Sequence, residues 1–249
     1  MKSNILLALG AILLIGTAYL LFIDSAKYNN PSIGIDPHVY GDKSKGIAKI
    51  KLYVFYAVPN NKTAGDLSLI QSKSIDVLEE VSSFHKNQFR GESLIEYYIY
   101  PEVVFLENDN LAYDTYSTQY GNFEALKSIT LELENRAFKP EGDLSQNLLG
   151  VDSEGAFRVI AIIYEGVGAS GTEGSMILSR DFMTRDEYSL FRPSLFYHEF
   201  GHTIGMPEGY DIKTNRPFTN DIMGAGRREP IRTNFIESET LKEMGVISE

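Results

Sequence analysis

Apolar and polar positions alternate, then run together, in a way that marks out the elements of this chain in order. Ile47 to Val58 begins as an alternating pattern and becomes almost wholly apolar, which predicts a strand buried on both faces in its second half. Asp66 to about Phe89 carries Leu67, Ile70, Ile75, Leu78, Val81 and Phe84 at near-helical spacing, with Asp66 as N-cap. His85, near the polar end of that helix, is expected to face solvent. Leu94 to Leu106 is rich in β-formers but contains Pro101, so a strand that bends or bulges there, or two short strands, is expected. Glu107 to Gly121 is polar and loop-like. Asn122 to Phe138 predicts a second helix, capped by Asn122, with Leu126, Ile129, Leu131, Leu133 and Ala137 available for packing. Phe157 to Tyr164 is an apolar strand, and Ser175 to Phe182 a shorter one. The order strand, helix, strand, helix, strand, strand predicts an α/β (α+β) fold with a mixed, twisted sheet whose parallel pairs are joined through helices.

The glycine-rich segment from Glu165 to Ser175 has neither G-K-[ST] nor G-x-G-x-x-G at a strand-to-helix junction, so a phosphate loop is rejected. A bulged edge or a loop that permits close backbone approach fits better. At the start of the chain, Ile5 to Ile23 is 19 residues without charge. As a helix it would be about 28 Å long, close to a bilayer core. Lys2 supplies the positive flank, so residues 1–23 are expected to be a signal anchor with the remainder exported; secretion after signal cleavage is the alternative. Residues 24–46 read as a linker, and residues 47–249 as the folded domain.

Composition narrows the chemistry. The chain of 249 residues has a net charge of −11 and no cysteine. No long basic run exists, so nucleic acid is not an expected partner. The negative field disfavours acidic substrates at long range. Disulfides and thiolate metal sites are excluded, and any metal must be held by nitrogen and oxygen. Against that background His198-Glu199-Phe200-Gly201-His202 stands out. Pro193 suits the first turn of a helix and Gly205 its end. On that helix His198 and His202 share a face, one turn apart, and their imidazoles can reach one metal ion. A catalytic zinc has three protein ligands and an open position for water. The chain's other histidines, His38 and His85, are remote in sequence, so an acidic residue after Gly205 is the economical third ligand: Glu208, with Asp211 as the alternative. Glu199 is placed to act as general base toward a water acidified by the ion.

These residues resemble the metzincin zinc metalloproteases, whose pattern is H-E-x-x-H-x-x-G-x-x-H/D. His198, Glu199, His202 and Gly205 match in register, and the third-ligand position falls on Glu208. Asp221-Ile222-Met223-Gly224 resembles the family's methionine turn, with Met223 as its methionine. The phrase HEFGHTIGMPEGYD is also similar to the zinc helix of immune-inhibitor-A-like peptidases. The strong resemblance covers residues 193–226. It implies one catalytic Zn2+, a polypeptide substrate, an upper subdomain over residues 47–205 whose edge near Gly166–Met176 borders the substrate groove, and a small lower lobe over residues 206–249 with an open cleft. The chain departs from the family in having glutamate at 208 and no tyrosine just after Met223. Tyr210 or Arg227 is then the candidate for substrate binding or oxyanion stabilisation. A gluzincin arrangement, drawing its third ligand from Glu229, Glu237 or Glu239, is the rival. The expected activity is that of a membrane-anchored, exported zinc endopeptidase. A catalytically silent zinc-stabilised binding domain and a zinc hydrolase of a non-peptide amide are the alternatives.

Overall fold

The computed structural model describes residues 35–114, 122–136 and 148–247. The run Ile5–Ile23 lies outside them, as do residues 115–121 of the expected loop and Ala137. Among the described residues no helix is long and apolar enough to cross a membrane.

A hairpin of β1 (His38–Val39) and β2 (Asp42–Gly46) comes first. Then follow β3 (Lys49–Val58), α1 (Leu67–Gln88), β4 (Leu94–Phe105), α2 (Asn110–Tyr113) and α3 (Phe123–Asn135). The strands β5 (Gly150–Val151), β6 (Phe157–Tyr164), β7 (Ala169–Thr172) and β8 (Ser175–Ser179) lead into α4 (Arg180–Thr184) and α5 (Arg192–Thr203). The chain closes with β9 (Tyr210–Asp211), β10 (Arg216–Pro217) and α6 (Ser238–Glu243). The main sheet has the order β4-β3-β6-β8-β7, with β5 pairing the start of β6. Neighbours from β4 to β8 along that order are parallel, while β7, on the edge, runs antiparallel to β8 and the short β5 antiparallel to β6. The sheet is therefore mixed, as expected.

Side-chain alternation divides the core. In β3, Ile50, Leu52, Val54, Tyr56 and Val58 join one cluster, and Phe55 and Ala57 the other. In β6, Phe157, Val159, Ala161 and Ile163 face the first cluster, and Ile160, Ile162 and Tyr164 the second. Both strands are thus buried on both faces, which explains their apolar runs. Helices α1 and α5 cover the first face, and α3 the second. Asp66 caps α1 by accepting the amide of Leu69 at 3.1 Å. The irregularity at Pro101 is a bulge. While β3 advances from Val54 to Tyr56, β4 advances from Ile99 to Val103, and the proline sits in the surplus where no ladder donor is needed.

Several sequence expectations differ from the structure. Within the expected linker, residues 35–46 belong to the fold: Val39 is in the core, and the amides of Asp36, His38 and Tyr40 donate to the carbonyls of Gly245, Met244 and Ile204. The segment Ser175–Phe182 is a strand only to Ser179, whose hydroxyl caps α4 by accepting the amide of Asp181. Leu131 is exposed on α3. After Gly205, Ile222, Met223, Ile231, Ile236, Leu241, Met244 and Val246 share one cluster with β3, β6 and α1, while Ile212, Phe218 and Phe235 are exposed.

Candidate metal centre

Helix α5 turns Phe196, Tyr197 and Phe200 into the core, each fully buried. That anchors the opposite side, where His198, Glu199 and His202 are carried. Tyr197 is locked from behind: its ring meets Phe84 edge-on at 4.7 Å, and its hydroxyl is 2.9 Å from Nδ1 of His85. His85 is therefore not solvent-exposed as its position on the chain suggested. It is fully buried, stacked on Phe89, with Nε2 2.7 Å from the hydroxyl of Ser93. Burial pushes its pKa down to about 3, so it is neutral.

The helix ends in a Schellman motif. Gly205 adopts φ +85°, the amide of Gly205 donates to the carbonyl of His202 at 3.1 Å, and that of Met206 to the carbonyl of Gly201 at 3.0 Å. This turn sends the chain back under the histidines. His202 Nδ1 donates to the carbonyl of Met206 at 2.9 Å, and His198 Nδ1 to that of Ile222 at 3.2 Å. With both Nδ1 protons committed to backbone carbonyls, each Nε2 presents its lone pair. Glu208 Oε1 lies 3.3 Å from His202 Nε2, and Oε2 lies 3.6 Å from His198 Nε2. The three donor atoms fall within 4.8 Å of one another, a group that can hold a metal ion.

Two of these atoms, His202 Nε2 and Glu208 Oε2, are buried without a hydrogen-bond partner. Orphaned buried polar atoms are costly. Their convergence on a point shared with a third donor fits a cation. Two imidazole nitrogens and a carboxylate suit a divalent transition metal such as zinc. Burial, with His202 beside it, drives the pKa of His198 down. Burial also acts to lower His202, but the Glu208 and Glu199 carboxylates outweigh it and the net shift is upward. Glu199 is buried with no partner charge strong enough to hold it ionised, and its pKa rises to about 7.

Asp211 is not at the centre. It is exposed, and its carboxylate accepts the amides of Lys213 and Thr214, the local turn for which aspartate is suited. Nor are the later glutamates: among the described residues the group that can hold an ion is His198, His202 and Glu208, the cavity wall includes none of Glu229, Glu237 and Glu239, and Glu239 pairs with Lys242. Met223 is buried, and a Cβ on Gly201 would stand 2.7 Å from its sulfur, so the methionine packs directly under α5. The turn that carries it is held by the buried Asp221, whose carboxylate accepts from Thr219 and from the amide of Glu237.

The centre opens into a cavity of about 720 Å³. Glu199, His202 and Glu208 lie in its wall, with the β7 edge from Ala169 to Gly171, Tyr210 and Arg227. The Tyr210 ring lies 5.7 Å from that of His198. Burial, with Glu208 and Glu199 nearby, pushes its hydroxyl up to about 12, so it remains a donor at neutral pH. Arg227, the other candidate for substrate binding or oxyanion stabilisation, is 6% exposed with its guanidinium 3.7 Å over the Tyr210 ring. A further wall of Phe182, Tyr188, Phe191 and Leu195 was not foreseen. Its signal was the aromatic spacing just before Pro193. Neither a family model nor a curated protein matches the chain.

Proposed function

We propose that the chain is a zinc metalloendopeptidase of the metzincin type, membrane-anchored and exported. The observation that carries the proposal is the convergence of His198, His202 and Glu208 donor atoms within 4.8 Å, with the buried Glu199 on the same helix and a cavity beside them. The methionine under α5, the Schellman turn at Gly205 and the antiparallel edge strand β7 support the same reading. The anchor rests on the apolar run Ile5–Ile23 and the flanking Lys2.

His198, His202 and Glu208 would hold the ion, and the Nδ1 bonds of His198 to the Ile222 carbonyl and of His202 to the Met206 carbonyl keep the two rings oriented. When bound, zinc supplies a Lewis acid that polarises the scissile carbonyl and makes water more acidic. Glu199 accepts the proton of the attacking water and delivers it to the leaving amine. A carboxyl with pKa about 7 is suited to both transfers, because neither protonation state is strongly disfavoured at neutral pH. Tyr210, protonated at neutral pH, is the donor best placed to stabilise the oxyanion, next to His198. The β7 edge offers backbone groups to an extended peptide, the usual way a chain is held straight across a cleft.

The test is cleavage of an unfolded protein by the full chain, with and without chelator. Glu199→Gln should keep its metal and lose cleavage by at least about a hundredfold. A Glu199→Gln variant as active as the parent would sink this mechanism.

A further inference from the structure

Arg227 is a buried cation without a counter-ion in contact. Its Nη1 donates to the carbonyl of Gly224 and its Nη2 to the side-chain oxygen of Asn215, both neutral acceptors, and no carboxylate among the described residues forms an ion pair with it. The face of its guanidinium is taken by Tyr210. Arg228, next in sequence, lines the same cavity, is exposed, and its side chain has no hydrogen bond or ion pair among the described residues. Buried charges are normally paired, and two like charges at one wall repel.

The carboxylates within electrostatic reach of Arg227 are Glu208 and Glu199. A divalent cation on His198, His202 and Glu208 would offset their charge, and the two arginines would then face the cavity as a local positive excess in a chain of net charge −11. Arginine presents a planar fork that matches a carboxylate. We propose that Arg227 and Arg228 form an anion subsite that binds a carboxylate of the peptide substrate, either an acidic side chain or a free C-terminus. This deepens the peptidase reading and rests on it for the substrate class. The chain's overall negative field opposes such a substrate at a distance, but it is screened by salt within about 8 Å at physiological ionic strength, whereas the contact at a buried guanidinium is not.

Binding tests it without turnover. The full-length Glu199→Gln chain, loaded with zinc, is titrated with three fluorescein-labelled peptides of one sequence. One has an internal Glu and an amidated end, one has Gln there and an amidated end, and one has Gln and a free C-terminal carboxylate. At least one acid peptide should bind about tenfold to a hundredfold tighter than the doubly neutral one, and which one does so identifies the source of the carboxylate. Adding Arg228→Gln should cut that preference about threefold, the worth of an exposed charge. Arg227→Gln should erase it; Arg227→Lys, which keeps the charge and is the safer fold, should reduce it. Equal binding of all three peptides overturns the subsite, as does a preference that neither Arg228→Gln nor Arg227→Lys diminishes. The parent chain is then given the same peptides. Cleavage without acid preference in the binding assay removes the subsite alone, whereas acid preference without cleavage of any peptide keeps the subsite and removes the peptidase reading.

Discussion

Gly171 of the edge strand lies so close to Glu199 that a Cβ built on it would stand 2.4 Å from the Glu199 carbonyl oxygen and 2.8 Å from His202 Cβ. The obstacle is helix backbone and a Cβ, neither of which can swing away. The absence of a side chain at 171 therefore sets how near β7 approaches α5, and with it the spacing between the cavity-lining edge and Glu199. Gly171→Ala should force the two apart and cost about 1–3 kcal/mol, as overpacking does. Urea unfolding of the full chain would measure it. Cleavage should fall further than stability explains, because the edge and Glu199 no longer keep their relation; a variant with parental stability and activity would refute the role.

The candidate third ligand, Glu208, differs sharply in placement from Asp211. Glu208 reaches both imidazoles, whereas Asp211 is spent on its own turn. Metal analysis of purified Glu208→Ala should show loss of the ion, and Asp211→Ala should retain it. A ligand that binds only the folded chain stabilises it by mass action, about 4 kcal/mol at a thousandfold excess over Kd. Chelator should thus lower the melting temperature of the parent and leave that of Glu208→Ala where it stands. The opposite pattern, with loss only at Asp211, would displace Glu208 from the centre.

Tyr210 gives a kinetic prediction. Its hydroxyl stays protonated across the neutral range, and its ring is fixed between His198 and Arg227. Tyr210→Phe keeps the ring and its stacking and removes only the donor. If that donor serves the oxyanion, kcat should fall about a hundredfold with little change in KM. A rise in KM at constant kcat would reassign the hydroxyl to ground-state binding.

The parts legible from the sequence are those whose determinants are local. The α5 histidines are one turn apart, the Gly205 turn follows at once, and Asp66 and Asn122 cap their helices through amides three residues on. The strands β3 and β6 announce themselves as apolar runs because both faces are covered. The hairpin of residues 35–46 was not legible. Its strands are too short to show a period, and its partners are the backbone at Ile204, Met244 and Gly245. Arg227 carries no local signal either, since its acceptors Gly224 and Asn215 and its aromatic partner depend on how the C-terminal segment folds. His85 does carry a local signal: it follows Val77 and Val81 at intervals of four, on the buried stripe of α1.

That buried histidine supports a pH prediction independent of the metal ligands. Its folded pKa of about 3 lies below the ordinary imidazole value of 6.5. Between those values the unfolded chain binds a proton that the native chain refuses, so protons favour unfolding. The stability that a neutral His85 lends is complete above about pH 6.5 and is lost as pH falls toward 3. Over the interval from pH 6.5 to 5 the loss is roughly 2 kcal/mol. His85→Gln removes the titration while leaving a polar group to meet Tyr197 and Ser93. At pH 7 the variant should be the less stable, since an amide does not reproduce both bonds at those distances. As pH falls to 5 its deficit should shrink, because the parent alone carries the His85 cost while every other titrating group is shared. Urea unfolding of both chains at the two pH values gives the difference directly. A gap that stays constant or widens on acidification would show that His85 is protonated in the native state, and the buried neutral network behind Tyr197 would have to be redrawn.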